Sequence, residues 1–88
     1  MKKKIIFTGR VQGVGFRWTV TRIASGYDVT GYVKNRSDGT VEVVAQGNGK
    51  AVDAFVDEIA ETMKRYISRV DVQPYLNEEI YPTFTVAH

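Results

Sequence analysis

Two stretches of helical periodicity, each bracketed by segments whose polarity alternates at every second residue, constrain the fold of this 88-residue chain more than any other feature. In the first, Phe16, Val20, Ile23 and Ala24 recur at one helical face, which predicts a helix over Phe16 to Ser25. In the second, Val52, Phe55, Val56, Ile59 and Met63 form the same kind of stripe. Asn48 is placed to cap that helix, Asp53 and Asp57 fall early in it, and Lys64 and Arg65 are expected in its last turn. Strand patterns surround both. Ile5, Phe7 and Val11 alternate with Lys4, Thr8 and Arg10, an order that only Ile6 breaks. Val29 and Val33 alternate in one segment and Val41, Val43 and Ala45 in the next, and Arg36-Ser37-Asp38-Gly39 joins the two as a hairpin turn. Val70 and Val72 alternate with Arg69, Asp71 and Gln73, and a further short strand follows Pro82.

The order is therefore β-α-β-β-α-β, with room for one extra strand. A chain of this length buries one core, and two helices interleaved with strands in this order cover one face of an antiparallel sheet. The prediction is an α+β, ferredoxin-like βαββαβ sandwich with four to five antiparallel strands, forming a single domain over residues 1–88. The face away from the helices is expected to stay open to solvent or partners.

Composition narrows the chemistry. With 43% hydrophobic and 25% charged residues the chain has the make-up of a folded domain. It contains no cysteine, and its one histidine, His88, is the final residue, expected to fray into solvent. Disulfides, thiolate nucleophiles, sulfur-bound zinc and histidine-based triads all drop out. Lys2 to Lys4 read as a solvated strand entrance, and the apolar run that follows, Ile5 to Phe7, is too short for a signal peptide or a membrane span. A cytoplasmic location is expected. The net charge of +2 hints only weakly at an anionic partner.

The stretch GRVQGVGFR, residues 9 to 17, leaves the first strand and enters the first helix. A loop in that position gathers backbone N–H groups at the positive end of the helix dipole, and glycines at 13 and 15 let the backbone curl around an anion. Arg17, in the first helical turn, can grip two oxygens of a phosphoryl group with its planar fork. No P-loop is present, and the third glycine of the dinucleotide fingerprint is missing. From these residues alone the segment is either an anion cradle or a tight turn followed by a surface arginine.

Together with GYVKNRSDGTVEVVAQG, residues 31 to 47, this segment resembles the two signature stretches of the acylphosphatase family, whose members hydrolyse carboxyl-phosphate anhydrides. The similarity runs from Ile5 to the end of the second helix and thins over the final residues. It implies that Arg17 binds the substrate phosphate, that the amides of Gln12, Gly13, Val14, Gly15, Phe16 and Arg17 form the cradle, and that Asn35 positions the attacking water. It implies a small-molecule acyl phosphate as substrate and no metal or cofactor. The chain is accordingly expected to act as a monomer, with neither nucleic acid nor membrane as partner. Tyr27 and Asp28 depart from the Leu-Gly pair usual in the family, leaving Gly26 as the candidate helix exit, and Tyr32 replaces a common tryptophan at an outward position beside the site.

Two other functions share parts of this pattern. A catalytically silent acylphosphatase-like module would keep the fold but not the turnover. RNA-recognition domains have the same element order, yet here Val14 replaces a stacking aromatic, Arg17 stands where valine is expected, and the segment lies on a loop instead of a central strand. Trp18, Tyr66 and Tyr75 are expected to be packed aromatics outside the site.

Overall fold

A computed structural model describes residues 1–88. Its elements run β1 (Lys2–Gly9), α1 (Phe16–Ala24), β2 (Thr30–Asn35), β3 (Val41–Gln46), α2 (Gly49–Thr62), β4 (Ile67–Pro74) and β5 (Phe84–Val86). The sheet order is β4-β1-β3-β2-β5. Its first four strands are antiparallel neighbours, as the element order predicts. β5 departs from the expected antiparallel arrangement and pairs parallel to β2, with Gly31, Tyr32 and Val33 level with Phe84, Thr85 and Val86, so the sheet is mixed. The cause is the path of the chain. β4 ends at the end of the sheet where β2 begins, and residues 75–83 cross there from one edge to the other, so the last strand sets off in the direction of β2.

That crossing is stitched to the sheet as it passes. Tyr75 N donates to Lys2 O at 3.0 Å, Tyr81 N to Gln46 Oε1 at 3.4 Å and Gly31 N to Thr83 O at 3.0 Å. The Tyr81 ring lies 5.7 Å from that of Tyr32, and Lys4 Nζ sits 4.2 Å from the centre of the Tyr75 ring. Val44 is fully buried although it lies outside the helix-facing core, which shows that the sheet face expected to be open is partly roofed. Each lysine of the N-terminal run has its own partner: Lys2 donates to Asn77, Lys3 pairs with Asp53 at 3.0 Å, and Lys4 meets Tyr75.

The core lies on the other face. Ile5, Phe7, Val33, Val41, Val43 and Ala45 from the strands meet Phe16, Val20 and Ile23 of α1 and Val52, Phe55, Val56 and Ile59 of α2. Each large side chain so buried contributes about 1.5–3 kcal/mol. α2 starts as its sequence predicts, with Asn48 Oδ1 accepting from Ala51 N at 2.8 Å. It stops at Thr62, so Lys64 and Arg65 lie beyond it and not in its last turn. α1 ends at Ala24, and the exit is a tight turn in which Gly26 N donates to Ile23 O and Tyr27 N to Ala24 O. No residue but glycine has a positive φ, so Asp28 carries no left-handed strain. Val70 and Val72 point to the helix side opposite Phe7 and Ile5 but stay 36% and 47% exposed, because β4 is an edge strand outside the two helices.

Candidate active site

The loop between β1 and α1 is pinned at both ends by buried side chains. Val11 is fully buried, and Phe16, 2% exposed, packs tilted against Phe7 with ring centroids 5.2 Å apart. Between these anchors Gly13 and Gly15 take φ values of 79° and 77°. A Cβ at either would meet nothing within 4 Å, so it is the left-handed backbone and not crowding that calls for glycine there.

This curl leaves its donors free. No amide from Gln12 to Trp18 donates to a protein acceptor, since the first helical bond of α1 runs from Thr19 N to Gly15 O. Gly15 is the N-cap and offers no side chain, and the first turn of α1 holds no acidic residue. The positive end of the helix dipole is therefore unbalanced and ringed by unpaired N–H groups, the arrangement that binds phosphate or carboxylate. Arg17 is half-buried and enters none of the ion pairs.

Asn35 arrives from the other side as the last residue of β2. It follows Val33 on the core side of the strand, and its Oδ1 is buried without a hydrogen-bond partner. A buried acceptor left in that state costs about 1–3 kcal/mol. Gly13, Gly15, Phe16, Arg17 and Asn35 line one cleft of about 380 Å³.

Gln12 and Val14 do not line it. Val14 points outward, 36% exposed, and the Gln12 side chain turns away to donate to Arg36 O at 2.8 Å and Thr40 O at 2.9 Å. Tyr32 is not beside the cleft either. It occupies the opposite face, where its hydroxyl donates to Glu42, and burial first, then that bond, raise its pKa strongly. In the hairpin turn after Asn35, bonds from the Thr40 hydroxyl and amide hold the Asp38 carboxyl below its ordinary range, with Arg36 3.8 Å away.

Five further residues complete the lining: Val11, Trp18, Thr21, Val86 and His88. His88, expected to fray into solvent, is exposed but lies against the cleft. Ala87 N donates to Val33 O at 2.9 Å, and continuing the β5 register by two residues sets His88 level with Asn35. No local signal in the sequence marks that pairing. Trp18 is not the packed aromatic outside the site that its residue type suggests: it lies off the buried stripe of α1, is 66% exposed and lines the cleft. Tyr66, by contrast, packs against the core as expected. No three His, Cys, Asp or Glu side chains converge where a metal ion could be held.

Residues 3–86 match the family model of acylphosphatases. The chain belongs to the acylphosphatase family. The match extends beyond the second helix through β5, further than the two signature stretches alone reach. An acylphosphatase of Shewanella oneidensis is 43% identical over 88 residues, covering 98% of each chain. One of Geobacillus kaustophilus is 48% identical over 71 residues, 80% of this chain and 76% of its own. The crystal structure of the Bacillus subtilis acylphosphatase shares the fold with a TM-score of 0.87 at 33% identity, covering 99% of this chain and 98% of that one. The acylphosphatase fold is thus present in full, with the glycine loop and β2 converging on one cleft.

Proposed function

We propose that this chain cleaves the carboxyl-phosphate bond of small acyl phosphates, giving a carboxylate and inorganic phosphate, with water as nucleophile and no metal. The observation that carries the reading is that one cleft brings together Gly13, Gly15 and Phe16 with their unpaired amides, Arg17 outside any ion pair, and Asn35, whose Oδ1 is buried without a partner.

The amides of Gln12 to Arg17 and the Arg17 fork take the phosphoryl oxygens and neutralise their charge, the larger part of the work in phosphoryl transfer. Asn35 Oδ1 accepts from the attacking water, and its amide can donate to a phosphoryl oxygen, which fixes the angle of attack. An asparagine is no base, so the proton of the water passes to a phosphoryl oxygen as the P–O bond to the acyl group breaks. The departing carboxylate has a conjugate acid with a pKa of roughly 4, so it leaves near neutral pH without a general acid. Alkyl phosphate monoesters, which need an acid or a metal to release an alkoxide, are poor substrates on this account.

Hydrolysis of benzoyl phosphate in EDTA, with Arg17→Lys assayed beside the wild type, tests the reading. Turnover indifferent to EDTA and a loss of about 100-fold in the variant are expected, since a point charge does not reproduce a two-pronged grip. Near-normal turnover by Arg17→Lys would sink it. A silent module would bind inorganic phosphate and leave benzoyl phosphate intact, so the same assay separates the two. The family supports a small-molecule substrate. No helix is long and apolar enough to cross a membrane. We take the chain to be a single domain over residues 1–88, acting as a cytoplasmic monomer without nucleic acid.

A further inference from the structure

We infer that Trp18 is the platform on which the acyl group of the substrate rests, and that the cleft selects acyl phosphates with a flat aromatic acyl group over those with a short one. This rests on the hydrolytic reading of the cleft given above.

The position of Trp18 along the cleft comes from its neighbours. Asn35 lines the main cleft and also a second one formed with Lys34, Arg36 and Ser37. Trp18 lines the main cleft and also a broader one of about 740 Å³ between α1 and α2. These two outer clefts share no residue, so the main cleft opens past Asn35 toward one and past Trp18 toward the other. In-line displacement places the leaving oxygen opposite the attacking water. With the water held at Asn35 and the phosphoryl group at the loop amides and Arg17, the carboxylate departs toward Trp18.

The indole is built to receive it. It is 66% exposed, in contrast to the core rings Phe7, Phe16 and Phe55. The Arg22 guanidinium, one helical turn further on, stands 5.4 Å from its centroid and holds the ring in place by cation–π attraction. Thr21 completes that end of the cleft. A fixed, wet aromatic surface gains from covering a flat apolar acyl group and gains little from a methyl.

The test compares benzoyl phosphate with acetyl phosphate in the wild type, Trp18→Ala and Trp18→Phe. Trp18→Ala should lower kcat/KM for benzoyl phosphate about tenfold and for acetyl phosphate less than about twofold, with Trp18→Phe recovering most of the preference. Equal losses on both substrates, or no loss on either, overturn the inference. Trp18 is the sole tryptophan, so its emission gives a readout independent of turnover. A phosphonate analogue of benzoyl phosphate, with CH2 in place of the bridging oxygen, should change that emission more than inorganic phosphate does. An analogue that binds without this change, or fails to bind, overturns it. Should the wild type hydrolyse neither substrate, the hydrolytic reading fails and the emission titration still decides the platform.

Discussion

Gln12 Nε2 donates to the carbonyl of Arg36 at 2.8 Å, which ties the glycine loop to the hairpin turn that follows Asn35. The same amide reaches Thr40 O at 2.9 Å, and Arg36 N bonds Thr40 O at 2.9 Å, so one side chain spans both arms of the turn. Gln12 therefore sets the spacing between the loop amides and Asn35. Gln12→Ala should lower kcat for benzoyl phosphate by about tenfold or more, since small misplacements of a reacting group are costly. Inhibition by inorganic phosphate should weaken less, because the amides and Arg17 remain. Equal losses in both would mean that the loop itself has collapsed.

Asn35 exchanges stability for position. Asn35→Ala should cut kcat steeply and leave the phosphate inhibition constant within about twofold, as removal of water positioning predicts. Because Oδ1 is buried and unpaired, the variant should also resist urea as well as the wild type or better, by up to about 1 kcal/mol. A less stable variant would show that the amide is a structural prop.

Gly15→Ala forces an L-residue to φ 77°, at a cost of about 1–2 kcal/mol. The loop should relax away from its curl, and phosphate inhibition should weaken together with stability. Urea unfolding and phosphate titration on the same preparation would show both changes; retention of full phosphate affinity would mean that the curl is dispensable.

Asp38 adds a pH dependence of stability. Its carboxyl is held below its ordinary pKa of 3.8 by the Thr40 bonds. A depressed folded-state pKa gives stabilisation that is complete above the unfolded value and lost as pH falls through the folded one. Asp38→Asn should thus unfold more readily than the wild type at neutral pH, and the two should converge as pH drops below about 4. A difference in melting temperature that persists unchanged in acid would rule this out.

The parts of this fold that local chemistry dictates were legible in the sequence. The stripe from Phe16 to Ala24 and that from Val52 to Met63 each became a helix facing the core, and Asn48 capped the second. Gly13 and Gly15 marked the loop because no other residue enters that backbone region cheaply. What stayed hidden depends on pairings between distant residues. Nothing near His88 announces that Phe84 will lie beside Gly31, and nothing near Tyr32 announces that Tyr81 will cover it. Val70 and Val72 alternate as a strand should, yet alternation does not reveal whether a helix lies overhead. Within the site, residue types and spacing pointed to the loop and Arg17, and the resemblance to the acylphosphatase signature stretches added Asn35. Trp18 and His88 needed the third dimension.

The parallel addition of β5 also matters for how the molecule avoids its own kind. Without those three residues β2 would be the outer strand, with a free row of N–H and C=O groups ending at Asn35, an open template for pairing with another chain. β5 takes up that row and, at three residues, offers a poor template itself. Trimming the chain before Phe84 would loosen Asn35 and, in the same cut, expose a sticky edge, so that lost turnover and self-association would arrive together.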